Sequence, residues 1–263
     1  MLTTSQTFKS LLLDREVPLA FVTLNRPEKR NALSLELMEE MTTCLQSIGQ
    51  DREIRAVVIR ANGPAFSAGH DIAEMTGRDI NFYRHLFDAC VKLMNAVQEI
   101  PQPVIAQVQA VATAAGCQLV AACDLAVAAE SAWFATPGVR IGLFCSTPMV
   151  AVSRAVGRKK AMEMLLTGDR VPAAEALAIG LVNRVVPEEQ LDAAVRELAN
   201  KVANSSPLVV GIGKQAFYRQ IDMAQSAAYD YTREVMSLNA TTQDAQEGFT
   251  AFTEKRKPVW KGL

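Results

Sequence analysis

Two short segments combine small residues with groups able to meet a ligand through the main chain. One is Ala65-Phe66-Ser67-Ala68-Gly69-His70-Asp71-Ile72, and the other is Val111-Ala112-Thr113-Ala114-Ala115-Gly116-Cys117-Gln118. Each follows an apolar run that reads as a buried strand. Small side chains let a ligand approach the backbone. The second segment also opens a short helix, whose first N–H groups lack partners inside the helix. Two such loops side by side would aim main-chain donors at one oxygen, the arrangement that stabilises an oxyanion. Close packing of a strand against a helix asks for the same small residues, and spacing alone does not displace that reading.

Other chemistries lack their residues. There is no GxGxxG or GxxxxGK[ST] for a nucleotide phosphate. GxSxG is missing, and no histidine follows His85, so a Ser…Asp…His order cannot be built downstream. His70 and His85 lack ligand-like spacing, and no structural metal is expected. Five cysteines (Cys44, Cys90, Cys117, Cys123, Cys145) form no CxxC and sit among apolar neighbours, which favours reduced thiols over a disulfide framework.

The elements that must position these loops are legible in outline. Leu19–Leu24 reads as a strand ending in the turn Asn25-Arg26-Pro27. Ser34 is placed to cap a helix with the apolar face Leu37, Met38, Met41, Leu45 and Ile48. Further strands are expected at Ile54–Ile59, Val104–Val108, Asp124–Ala128, a short one at Ala132-Trp133-Phe134, and a last one at Leu181–Val186. A helix is expected through 81–100, stopping before Pro101 and Pro103, and a short one around Gln118. Thr147-Pro148 and Ser206-Pro207 read as helix starts, with a capping hydroxyl followed by proline. From 187 onward the pattern is helical. Strands alternating with helices, then a helical tail, argue for an α/β core.

The 263 residues are 49% apolar and 21% charged, with a formal charge of −1, which excludes disorder as the main state. A chain of this length buries about three-quarters of its unfolded surface. Near-neutral charge gives no general reason to bind nucleic acid or an anionic membrane. The apolar stretch Ala110–Ala129 contains Thr113, Gln118 and Asp124, so it reads as a buried helix and strand rather than a membrane span. No secretory or Arg-rich leader is visible at the start, and a cytoplasmic location is expected, or the mitochondrial matrix if the chain is eukaryotic.

Five segments resemble the enoyl-CoA hydratase/isomerase, or crotonase, family: 25–33 NRPEKRNAL, 65–75 AFSAGHDIAEM, 103–124 PVIAQVQAVATAAGCQLVAACD, 164–186 MLLTGDRVPAAEALAIGLVNRVV and 247–260 EGFTAFTEKRKPVW. They run collinearly over nearly the whole chain. The resemblance implies a ββα superhelix over residues 1–200. It also implies a helical C-terminal region, 201–263, that belongs to the same unit and mediates homotrimers or dimers of trimers. The implied ligand is an acyl-CoA, as substrate and not as a bound cofactor. Its thioester carbonyl would be held by the main-chain N–H groups of His70 and Ala115. Lys29, Arg30 and Ala32, with Ala68, Asp71, Ile72 and Ala73, fall on the implied CoA path; Phe252 and Lys255 match tail positions that reach CoA.

The chain departs from the family where a hydratase carries two glutamates. Those positions are Gln118 and Gly138. Glutamine keeps the size and hydrogen-bonding capacity of glutamate but takes no proton near neutral pH, and glycine has no side chain. General acid–base catalysis contributes about 10²–10⁴-fold, so ordinary hydration is expected to be weak or absent. The family's glycines in the second loop are here Ala114 and Ala115, and an alanine keeps its N–H on the cavity if its φ is negative. Polar side chains that might substitute are Thr136, Arg140, Cys145 and Ser146, with His85 as a partner for Cys145 if the fold brings it near; Glu130 is expected to be exposed. The alternatives are another enolate reaction (isomerisation, decarboxylation or thioester hydrolysis) and a non-catalytic acyl-CoA-binding or interaction protein.

Overall fold

The computed structural model describes residues 8–263. The reading of residues 1–7 as free of a leader lies outside the described residues. β1 (Leu11–Glu16) pairs antiparallel with β2 (Leu19–Leu24), and every residue of β2 is buried. β1 was not foreseen, because Asp14, Arg15 and Glu16 interrupt its leucines. It is an edge strand, where charge is tolerated and discourages further pairing. Ser34 caps α1 (Leu35–Gly49) by accepting the Leu37 N–H at 3.2 Å, and the expected face Leu37, Met38, Met41, Leu45 and Ile48 is buried.

A ββα unit then repeats three times. The first is β3 (Ala56–Ala61), β4 (Ala65–Ser67), α2 (Ile72–Met75) and α3 (Ile80–Glu99). The second is β5 (Val104–Val108), β6 (Val111–Thr113) and α4 (Ala115–Ala122). The third is β7 (Leu125–Ala129), β8 (Trp133–Ala135), a 3-10 turn at Pro137–Ile141 and α5 (Ser146–Ala155). The chain continues through α6 (Arg158–Thr167), β9 (Val171–Pro172), α7 (Ala173–Ala178), β10 (Arg184–Val186) and α8 (Leu191–Ala203). It ends in α9 (Pro207–Gln220), α10 (Gln225–Ala240) and α11 (Gln243–Thr253). The first strand of each repeat enters a six-stranded sheet ordered β1-β2-β3-β5-β7-β10, and the second enters a four-stranded sheet ordered β4-β6-β8-β9. The loops read from sequence therefore lie at corresponding points of successive repeats. One face of the large sheet packs on α1 and α3, and the other carries Leu191, Val195 and Ala199 of α8. Residue 200 falls inside α8.

Several expected elements shift. β3 starts at Ala56 rather than Ile54, because the carbonyls of Ile48, Asp51 and Ile54 converge on the Gln102 side-chain amide at 3.0–3.3 Å. β7 starts at Leu125, since Asp124 is occupied with side-chain bonds. Leu181 and Val182 close the end of α7 on the Ala176 carbonyl, which leaves only Arg184–Val186 as strand. α5 begins at Ser146, with Cys145 as its uncapped N-cap residue; Thr147 and Pro148 are its second and third residues. Proline is tolerated there because an N–H in the first turn has no helical partner anyway. Ser206 does cap α9, accepting the Val209 N–H at 3.2 Å. The stretch 110–129 is divided into β6, α4 and β7, and among the described residues no helix is long and apolar enough to cross a membrane.

One polar cluster ties the helical tail to the sheet. The buried Lys214 amine of α9 donates to the carbonyls of Val97 (2.8 Å) and Gln102 (2.9 Å) and pairs with Asp124 at 2.8 Å. Asp124 also accepts the Val104 N–H (2.6 Å) and the Tyr218 hydroxyl (2.8 Å). A buried charge so fully hydrogen-bonded is tolerated where an unpaired one is not.

Candidate active site

The segment 25–33 is a brace for the first loop. Arg30 and Asn31 both have left-handed φ of 51°, a conformation that asparagine tolerates better than most residues. The buried Asn31 amide donates to the carbonyls of Asn62 and Ala65, each at 2.8 Å, and its Oδ1 accepts the Arg26 N–H at 2.9 Å. Arg26 in turn donates to the Ala32 carbonyl (2.8 Å) and pairs with Asp71 (3.2 Å). Asp71 and Ala32 are thus structural members of the brace. Lys29 and Arg30 are exposed beside it.

His70 forms an isolated parallel bridge with Leu33, in which Leu33 N–H donates to Gly69 O and Asp71 N–H to Leu33 O. In parallel pairing the flanking residues supply those bonds, so the His70 N–H points away from Leu33. It has no backbone partner among the described residues. The Ala115 N–H, first in α4, likewise has none. The two loops are in contact. Gly69 has φ +93°, and a Cβ there would lie 2.8 Å from Ala114 Cβ and 3.4 Å from Ala115 N. Gly116 is pressed still harder, its would-be Cβ 2.4 Å from the Ser67 carbonyl. Close packing of the two loops therefore accounts for the glycines at 69 and 116.

His70 and Ala115 both line one cavity of about 350 Å³. Its lining includes Ala68, His70, Ile72, Ala115 and Gly138 from the sequence reading. It also includes Met75, Phe87, Ile141, Leu143 and Phe144, which that reading missed. Gln118, Lys29, Arg30, Ala32, Asp71, Ala73, Phe252 and Lys255 do not line it. Ala73 is exposed on α2, Phe252 is 88% exposed on α11, and Lys255 follows that helix at φ +56°.

The two positions of special interest are both closed. Gln118 is buried, and its Oε1 accepts a long 3.7 Å contact from the Cys90 thiol of α3. Gly138 sits beneath a loop whose Leu143 N–H returns to the Gly138 carbonyl at 3.0 Å. A Cβ on Gly138 would stand 2.1 Å from the Leu143 carbonyl oxygen and 2.8 Å from Cys145 Sγ. Burial pushes the Cys145 thiol pKa up, opposed by the Gly138 backbone, so the thiol is neutral at ordinary pH. Burial also lowers the His70 imidazole below its usual 6.5, opposed in part by the Leu33 backbone. Its ring packs edge-on to Phe87, centroids 5.5 Å apart, with both nitrogens unpartnered among the described residues. His85 is not near Cys145 as a base: it lies on the exposed side of α3, 3.6 Å from Glu39. Glu130 is exposed as expected, Thr136 is buried with its hydroxyl unpaired, and Arg140 is held by the Thr167 carbonyl (2.9 Å) and Asp169.

Ala114 does not meet the condition of negative φ. Its φ is +50° and ψ −118°, a region suited to glycine, because Ala114 N–H is drawn to the Ala135 carbonyl at 2.9 Å. Ala114→Gly is expected to stabilise the fold by about 1 kcal/mol, as relief of strain outweighs the added freedom of the unfolded chain. Urea unfolding checks this; a loss of about 1 kcal/mol, usual for Ala→Gly in an ordinary helix, would count against the strain.

The family model "Enoyl-CoA hydratase/isomerase" matches residues 14–263. Enoyl-CoA hydratase domain-containing protein 3, mitochondrial, from Xenopus laevis is 47% identical over 95% of this chain and 85% of its own length. The crystal structure of an enoyl-CoA hydratase from Mycobacterium smegmatis superposes with TM-score 0.94 at 46% identity, covering 96% of this chain and 99% of that one. Human enoyl-CoA hydratase domain-containing protein 3 gives TM-score 0.93 at 43% identity, covering 96% and 100%.

Proposed function

The chain belongs to the enoyl-CoA hydratase/isomerase family, and from that premise we propose that it binds an acyl-CoA and stabilises the enolate of its thioester. In this reading the carbonyl oxygen accepts from the N–H groups of His70 and Ala115. A pair of fixed donors in a cavity with a largely apolar wall costs no reorganisation as charge develops. The observation that carries the reading is that both N–H groups lack other partners among the described residues while their residues wall the same cavity. Gln118 and Gly138 stand, by sequence resemblance, where family hydratases carry glutamates. No Asp or Glu is among the described residues lining the cavity, which supports that reading.

Coenzyme A would run past Ala68, Ile72 and Ala73, with Lys29 and Arg30 exposed for its phosphates and the Ala32–Asp71 brace shaping the path. Phe252 and Lys255 would meet it in an assembled oligomer. Assembly is supported by α10, which buries no residue within the chain and exposes Tyr229, Met236 and Leu238. A homotrimer, or two paired, is the expected form. Some relatives are named as mitochondrial proteins; a eukaryotic source would put this chain in the matrix, and a bacterial one in the cytoplasm.

Butyryl-CoA is expected to raise the melting temperature in a dose-dependent way, while crotonyl-CoA is hydrated weakly or not at all. A spectrophotometric hydration assay beside the thermal shift checks both. Robust hydration, or no shift with any acyl-CoA, would contradict the proposal.

A further inference from the structure

Forming an enolate from a saturated thioester needs a group that takes the α-proton. Among the described residues lining the cavity, the polar side chains are His70, Arg140, Cys145, Ser146 and Thr147. Arginine stays protonated, and Arg140 is already held by Asp169 and the Thr167 carbonyl. Burial keeps the Cys145 thiol neutral. A serine or threonine hydroxyl has no useful basicity near neutral pH. That leaves the imidazole of His70, which in its neutral form carries a free lone pair on one nitrogen.

We propose that the His70 imidazole is the base that takes the α-proton of the bound acyl-CoA; this rests on the acyl-CoA reading above. The Cα–H bond breaks, its proton goes to a ring nitrogen, and its electron pair moves onto the thioester carbonyl. The resulting enolate oxygen is held by the N–H groups of His70 and Ala115. The imidazolium trades its proton with water and returns one to Cα, so the acyl-CoA is regenerated. Charge is conserved, and no co-reactant beyond water is required. One residue then acts twice, with its main chain on the oxygen and its ring on the carbon.

The ring is unengaged where that task needs it. Phe87, which it meets edge-on at 5.5 Å, lines the same cavity. Both ring nitrogens are shielded from solvent and have no partner among the described residues. A buried polar group left in that state calls for a ligand or a chemical role. Because no hydrogen bond holds the ring, turning it about χ2 towards a bound acyl group breaks none. Burial holds the free ring in its neutral, proton-accepting form, and the Leu33 backbone favours the charged form it must adopt next. The ionisable neighbours are occupied elsewhere. Asp71 pairs with Arg26, Glu74 accepts the Leu35 N–H, and the Tyr83 hydroxyl donates to the Met75 carbonyl. His85 stands beside Glu39 on the exposed side of α3.

The test incubates the full chain with butyryl-CoA in deuterium oxide and follows label at Cα by mass spectrometry, with binding measured in parallel by thermal shift. Deuterium is expected to enter without net reaction. At saturating butyryl-CoA, His70→Gln, which keeps the main-chain N–H, should exchange slower by about 100-fold or more. The pH profile of the parent chain is a second readout that does not depend on the variant folding. The chain has two histidines, so carbon-13 labelling of histidine resolves both rings by NMR. The kcat/KM of exchange should fall on acidification with the midpoint of the His70 ring itself, below 6.5. Butyryl-CoA bound without label, equal exchange in His70→Gln, or a midpoint that departs from that of the ring overturns the assignment of the base and leaves the acyl-CoA reading standing. No butyryl-CoA binding removes the reading beneath it.

Discussion

Asp124→Ala should cost about 3–5 kcal/mol of stability, the penalty for stranding a buried charge. The Lys214 amine would keep only the carbonyls of Val97 and Gln102. The Val104 N–H and the Tyr218 hydroxyl would lose their acceptor in the same change. Burial already pushes the Lys214 pKa below its ordinary 10.5, and Asp124 is what opposes that fall. The sign of the pH effect follows. Between the lowered folded pKa and 10.5, the unfolded chain binds more protons than the folded one, so stability rises with pH there. Without Asp124 the folded pKa drops further and that window widens. The deficit of Asp124→Ala should therefore shrink as the buffer is raised from neutral towards 10.5. Urea melts across that range check it, and Lys214→Met in the same background should recover part of the loss. A deficit that is small and flat with pH would show that the cluster does not anchor α9.

The second large effect concerns Gln118 and Gly138. The double variant Gln118→Glu with Gly138→Glu should not gain hydratase activity, and it should lose about 1–3 kcal/mol or more through overpacking. The cause is at Gly138. Any Cβ there meets the Leu143 carbonyl oxygen at 2.1 Å, a backbone atom that cannot rotate aside. The loop from Gly138 to Cys145 would have to move, and with it part of the cavity wall. Gln118→Glu alone should fold, but burial beside Cys90 would keep the new carboxyl largely neutral. Hydration rates and thermal melts of the single and double variants check this. A double variant that is stable and hydrates crotonyl-CoA would mean the loop is far more yielding than its contacts suggest.

How much of this was open to inspection in the sequence depended on the length of each signal. The buried face of α1 and the Ser206-Pro207 start of α9 were legible because their signals are local: a helical period, and a capping hydroxyl with proline. β4 and β6, three residues each, are too short to show a period and read as loops. Negative φ is the ordinary state of alanine, and the sequence left the sign at Ala114 open. Pairing of its N–H with Ala135 and the close approach of Gly69 impose the opposite sign. The two donors were named only through resemblance to a family, since the small residues around them suit close packing just as well. Phe87, Leu143 and Phe144 were not foreseen as cavity wall. They come from α3 and from the turn before α5, and only the tertiary fold brings them together. What seals Gly138 is also a loop carbonyl, a group every residue has, so sequence carries no mark of it.

The central claim is that two main-chain amides polarise a thioester carbonyl. Difference Raman spectroscopy of butyryl-CoA carrying carbon-13 at that carbonyl, free and bound to the protein, tests it most directly. The account predicts that the carbonyl stretch moves to lower frequency on binding. A stretch unchanged from that of the free ligand, at saturating protein, would contradict it.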